Sequence, residues 1–131
     1  MTPHVGELSR LTGKEISEIK SCFVEVAKEA ALDYDSVMVC KDARTLVCKS
    51  GKMIYMNATG NNGMATAGSG DVLAGMIGGL LAQGMDLFEA ACAGVYLHGL
   101  AGDAAAENVS EYGVTATAII AGIAEMLEDR R

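Results

Sequence analysis

Residues 57–75, Asn-Ala-Thr-Gly-Asn-Asn-Gly-Met-Ala-Thr-Ala-Gly-Ser-Gly-Asp-Val-Leu-Ala-Gly, form a glycine-rich loop that runs into an apolar helical pattern headed by Asp71. Such a loop can wrap an anion. Its glycines let the backbone approach a ligand closely, and the unpaired N–H groups of the following helix's first turn, with the helix dipole behind them, attract phosphate. Asp71 is the odd member, because a carboxylate repels phosphate. It is expected there either as an N-cap, the ordinary role of Asp before an apolar helix, or as a group that does chemistry beside the phosphate. Two familiar phosphate motifs do not fit. A P-loop needs Lys after its last Gly, where Asp71 stands, and Rossmann spacing needs a third Gly or Ala where Leu73 stands.

The rest of the chain must position this loop. At 131 residues with half of them apolar, it has the material for one domain with a real core. A net charge of −7 is the wrong sign for gripping nucleic acid or anionic lipid, and with no Trp and two Phe there is little aromatic surface for stacking bases. No apolar run is long enough for a membrane span, and the N-terminal residues lack the pattern of a signal peptide. A soluble, cytoplasmic protein is the expectation. Cys22, Cys40, Cys48 and Cys92 lack C-x-x-C spacing and sit in apolar patterns, so they read as buried thiols. Abundant Gly and Ala suggest helices packed closely through small residues.

Pro3 and Gly6 mark residues 2–7 as a turn, followed by a short helix around Leu8 and Leu11 that Gly13 closes. Spacings of three and four predict one helix over 16–31, with Glu15, Glu18, Lys20, Glu25, Lys28 and Glu29 as its solvated face. Val37–Cys40 reads as a strand buried on both faces, and Lys41–Thr45 follows it, where open α/β sheets place ligand groups. Leu46–Cys48 and Met53–Met56 flank a hairpin turn containing Gly51. A helix is expected from Asp71 to Gln83, stopped by Gly84, with Gly75, Gly78 and Gly79 requiring compensation from a close neighbour. A second runs from an Asp86 cap to about Glu107, residues 108–113 form a polar connection, and a last helix covers 115–128 with Ile119, Ile120, Ile123, Met126 and Leu127 inside. His98 reads as a core histidine. Neither Ser69 nor any Cys has a His near it in sequence to suggest a nucleophilic triad, and His4 with Glu7 does not make a metal site.

In order and spacing, Thr2-Pro3-His4-x-Gly6-Glu7, Lys41-x-Ala43-x-Thr45 and Gly60-Asn61-x-Gly63-Met64-Ala65-Thr66-Ala67-Gly68-Ser69-Gly70-Asp71-Val72-Leu73 resemble the ADP/ATP-dependent NAD(P)H-hydrate dehydratases, a carbohydrate-kinase-like family of the ribokinase-like superfamily. The resemblance implies an α/β fold, the C-terminal portion of a layered ribokinase-like domain with a short central sheet and packed helices. The whole of 1–131 would be one partial domain. It also implies repair of NADH or NADPH hydrated on the nicotinamide ring. ATP or ADP, with Mg²⁺, would phosphorylate the hydroxyl and so turn a poor leaving group into phosphate. Asp71 would lie beside the hydrate as the base that takes the hydroxyl proton, and His4 would contact the hydrated dinucleotide. Lys41, Asp42, Ala43, Arg44 and Thr45 would border the nucleotide. Asn61, Asn62, Gly63, Met64, Ala65, Thr66, Ala67, Gly68, Ser69 and Gly70 would hold its phosphates.

Ala58, Asn62, Ala67, Asp42 and Arg44 depart from the commonest family wording. Arg44 could add a phosphate contact and Asp42 weaken one, so nucleotide preference stays open. A sheet of three or four strands would expose an edge and an apolar face, which favours a homo-oligomer, a strand-exchanged dimer or pairing with a missing N-terminal half. Two other readings are a small-molecule kinase of the same superfamily and a catalytically incomplete nucleotide-binding or oligomerisation fragment.

Overall fold

The computed structural model describes residues 1–128. His4 and Glu7 open the first helix, α1 (Val5–Thr12), through a reciprocal cap. The Glu7 N–H donates to His4 Nδ1 at 3.1 Å and the His4 N–H donates to Glu7 Oε2 at 2.9 Å, satisfying two donors at a helix start that has no intrahelical partners for them. The expected turn over residues 2–7 is therefore the entry to a helix, and Gly6 lies in its first turn. Gly13, at φ 70, ends α1 as expected, its N–H bonded to the Ser9 carbonyl.

The single helix expected over 16–31 is two, α2 (Ile16–Ser21) and α3 (Phe23–Asp33), because Cys22 leaves helical geometry at φ −136, ψ 46. The break re-aims the apolar face. Ile19 from α2 and Val26, Ala27, Ala30 and Ala31 from α3 enter one core with Leu8, Met38, Cys40, Leu46 and Cys48. The charged positions remain outside, where Lys14 meets Glu18 at 3.4 Å and Glu29 at 3.5 Å.

Three strands, β1 (Met38–Cys40), β2 (Leu46–Cys48) and β3 (Tyr55–Met56), pair antiparallel in chain order, with Met38 opposite Cys48 and Leu46 opposite Met56. β1 is buried at every residue, as its unbroken apolar run required. The extended Met1–His4 segment lies parallel to β1. The Val39 N–H bonds the Met1 carbonyl and the Lys41 N–H bonds the Pro3 carbonyl, both at 2.8 Å, and His4 bridges to Lys41. Met1–His4, the helices and β1 thus form a strand–helix–strand crossover. These elements make one compact unit, Met1–Met56, and a second begins at Asn57.

The second unit is helical. A 3-10 turn (Asn62–Met64) leads to α4 (Ser69–Ala82), then α5 (Leu87–Gly113) and α6 (Ala116–Glu128). Asp86 caps α5 as expected, accepting from the Phe88 N–H at 2.9 Å. α5 runs on through the expected polar connection, broken only at Ser110, whose φ of 61 is unusual for a residue other than glycine. α5 and α6 share a core of Ala101, Ala105, Val114 and Ile119. Close packing through small residues holds here, since a Cβ on Gly122 would collide with the Ala101 carbonyl. Ile120 and Leu127, expected inside, are more than half exposed. Gly75, Gly78 and Gly79 of α4 also differ from expectation: a Cβ at each would meet nothing within 4 Å. Among the described residues no helix is long and apolar enough to cross a membrane.

All four cysteines are free, and Cys40 and Cys48 are buried. Burial, reinforced by the neighbouring Cys48, pushes the Cys40 thiol up to about 12, and burial also raises Cys48. A raised thiol keeps its proton in the folded state while the unfolded chain loses it near pH 9, so folding stability should fall as pH rises from about 9 towards 12. Urea midpoints measured across that window should decline more steeply for the natural chain than for Cys40→Ala.

Candidate functional site

Two groups of residues carry the chemistry-bearing side chains, one in each unit. In the first unit His4 and Lys41 lie side by side at the carboxyl ends of two parallel extended segments. Ligands of open α/β sheets bind beyond such ends. Lys41 and Thr45 are half-buried where they meet the sheet, whereas Asp42, Ala43 and Arg44 form an exposed bend. His4 is exposed, with its Nε2 at 3.6 Å from Glu7 Oε1. The backbone N–H of His4, with help from the nearby His4, Lys41 and Arg10 side chains, holds the Glu7 carboxyl below its ordinary range. The cap thereby anchors the residue expected to touch substrate.

In the second unit the glycine loop is strapped along α5. Asn57 is buried, with its Nδ2 at 3.0 Å from the Thr59 carbonyl and 3.5 Å from the Val95 carbonyl. The Thr59 hydroxyl has one proton and two acceptors in reach, Asn57 Oδ1 at 3.1 Å and the Tyr96 carbonyl at 2.9 Å. Asp103 Oδ2 accepts from the Gly60 N–H at 2.9 Å, and Asn61 Nδ2 donates to Asp103 Oδ1 at 3.0 Å and to the Gly102 carbonyl at 2.9 Å. This approach needs small residues on α5. A Cβ on Gly99 would collide with Thr59, and one on Gly102 with Met64.

At its far end the loop enters α4 through Gly68, whose φ of 86 suits a residue without Cβ. The helix therefore starts at Ser69, two residues earlier than expected. Asp71 lies inside the first turn and does not cap it; no side chain caps α4. Its own N–H and that of Val72 bond the Gly68 carbonyl at 3.1 Å. Its side chain is exposed and has no partner among the described residues. Among those residues the N–H groups of Ala67, Gly68 and Gly70 also lack an acceptor. Free amides at the start of a 14-residue helix fit phosphate oxygens, and an exposed carboxylate one residue beyond them is free to take a proton. No group of three His, Cys, Asp or Glu that could hold a metal occurs among the described residues.

Two residues that the sequence did not connect meet here. Buried Ser69 Oγ lies 3.4 Å from Nε2 of buried His98. His98 is a core histidine, as expected, but it touches the first residue of α4. Asp103 was also missed. Its acidic side chain on the small-residue face of α5, beside Gly102, is the signal that could have marked it.

A crossover with His4 and Lys41 at its strand ends, together with a glycine-rich loop ahead of a helix bearing Asp71, fits a ribokinase-like α/β protein. A ribokinase-like superfamily protein from Enterococcus faecalis superposes with a TM-score of 0.80 at 34% identity, covering 98% of this chain and 43% of that one. The family model described as NAD(P)H-hydrate dehydratase matches residues 1–125, and the chain belongs to that family. A bifunctional NAD(P)H-hydrate repair enzyme of Thermofilum pendens is 45% identical over 92% of this chain and 23% of its own length. The ADP/ATP-dependent NAD(P)H-hydrate dehydratase of Bacillus subtilis, co-crystallised with ATP/Mg²⁺, superposes with a TM-score of 0.92 at 32% identity, over 99% of this chain and 47% of that one. The chain thus spans less than half the length of these relatives.

The closeness of the loop to α5 has a measurable consequence. Gly99→Ala should destabilise the fold by about 1–3 kcal/mol, the ordinary cost of overpacking, read as a lower urea midpoint, whereas Gly79→Ala, into open space, should be neutral or stabilising.

Proposed function

We propose that this chain carries the nucleotide-binding portion and the catalytic base of an ATP- or ADP-dependent NAD(P)H-hydrate dehydratase, as part of one ribokinase-like domain. The observation that carries the reading is Asp71: an unpaired, exposed carboxylate one residue beyond the free Gly70 amide. Within the loop from Asn61 through Gly70, the amides of Ala67, Gly68 and Gly70, which have no acceptor among the described residues, bind the nucleotide phosphates and offset charge that develops on the transferring group. Lys41–Thr45 borders the nucleotide, and His4 meets the hydrated dinucleotide.

The nucleotide supplies a phosphoryl group that makes the hydroxyl a good leaving group. Asp71 takes the proton of the hydrate's hydroxyl as that oxygen bonds to phosphorus and the bridging P–O bond of the nucleotide breaks. The ring nitrogen then expels phosphate with the C–O electrons, and loss of a proton from the adjacent carbon restores the double bond. Mg²⁺ would arrive with the nucleotide and would be held mainly by its phosphates, as this ion commonly is. The cytoplasm, where nicotinamide cofactors turn over, is the compartment this reading assigns. The exposed Ala74, Gly75, Gly78, Gly79 and Ala82 face of α4 supports association with another copy or with a complementary half of the fold. If another copy is the partner, sedimentation at micromolar concentration should show a species larger than the monomer, and a monodisperse monomer contradicts self-association.

Incubation of the chain with hydrated NADH and ATP or ADP should regenerate NADH absorbance, and Asp71→Asn should lower kcat about 10²–10⁴-fold with nucleotide affinity retained. Turnover unaffected by the substitution rules out Asp71 as the base. Nucleotide binding without turnover by the natural chain would support the incomplete-fragment reading.

A further inference from the structure

We propose that Asp103 is the positioning residue of the glycine loop, holding it in the shape that binds a nucleoside di- or triphosphate; the ligand class rests on the nucleotide reading above. One carboxylate serves two points of the loop, accepting from the Gly60 N–H through Oδ2 at 2.9 Å and from the Asn61 amide through Oδ1 at 3.0 Å. Asn61 passes the constraint on, because its own Oδ1 accepts from the Gly63 N–H at 3.0 Å. A half-buried carboxylate on α5 therefore sets the backbone of Gly60 directly and of Gly63 through one intermediary.

The loop needs such a constraint. Residues 57–61 belong to no helix or strand, and Gly60 has a φ of 97, so the segment has no ladder of backbone bonds to hold it. Ordering a free backbone costs about 1–2 kcal/mol per residue. If that cost is met within the folded protein, it is not charged against ligand binding. Charge-assisted acceptance makes Asp better suited than a neutral side chain. Both of its oxygens are occupied, and its charge would repel phosphate, so its effect on the ligand runs through the loop.

The chemistry of an amide makes Asp103→Asn a sharp test. Asn presents one acceptor oxygen and one NH₂, so either the Gly60 N–H or the Asn61 NH₂ would face a donor. In the natural chain the Gly60 and Gly63 amides should be protected from hydrogen exchange. Asp103→Asn should speed exchange at both with the α5 amides unchanged, and should raise Kd for ADP and ATP about tenfold by calorimetry with unchanged stoichiometry. Asn61→Ala, which leaves Asp103 in place, should free Gly63 and keep Gly60 protected, and this variant carries the test if Asp103→Asn does not fold. A merely structural role would lower Tm and binding stoichiometry but leave Kd of the folded fraction and the exchange pattern unaltered, and that result overturns the proposal. If the natural chain binds neither nucleotide, the nucleotide reading fails. The exchange pattern then decides the loop-ordering role alone, and equal exchange in the natural chain and both variants overturns it.

Discussion

The attachment of a polar, glycine-rich loop to one helix is the constraint on which the second unit depends. A segment like residues 57–64 cannot be held by apolar burial, since most of its side chains are small or polar. It is held instead by α5, whose Val95, Tyr96 and Gly102 carbonyls accept from Asn57, Thr59 and Asn61 in addition to their helical roles. Buried polar groups are tolerated only when partnered, and no buried side-chain polar atom among the described residues lacks a partner. The bonds are short enough only because α5 has no Cβ at Gly99 and Gly102. Hydrogen bonding and close packing are thus two aspects of one contact.

The first unit solves a different positioning problem by topology. A parallel pairing needs a crossover, and the three helices between Met1–His4 and β1 provide it. That crossover brings two motifs separated by more than thirty residues to the same sheet end. His4 is also the cap of α1, so the chain that leaves the carboxyl end of the extended segment turns at once into a helix and fixes the histidine's backbone. The same residue answers a local requirement for a cap and lies beside Lys41 at the sheet end.

Legibility in the sequence followed the range of the interactions. Buried β1 was readable from its continuous apolar run, the Gly13 stop from its residue type, the hairpin around Gly51 from its turn residues, and the Asp86 cap from the apolar pattern it precedes. The break at Cys22 was not, because no Gly or Pro marks it and the apolar spacing carries through it. The start of α4 was misplaced by two residues for a related reason. Asp is the commoner cap, and only the positive φ of Gly68 moves the boundary and places Asp71 inside the first turn. The exposed glycines of α4 show the limit of propensity arguments: their cost in a helix is local, but which surface they face is decided elsewhere.

By itself the sequence determined that a glycine-rich loop precedes a helix bearing Asp71, that the charge balance disfavours nucleic acid, and that the motif order resembles one dehydratase family. These are matters of residue type and short spacing, which the local chain carries whole. Only the tertiary structure decided that Asp71 does not cap α4, that His98 meets Ser69, and that Asp103 spans Gly60 and Asn61. Each of those depends on where a distant helix lies against the loop, and a contact across some thirty or forty residues leaves no periodicity for a single sequence to display.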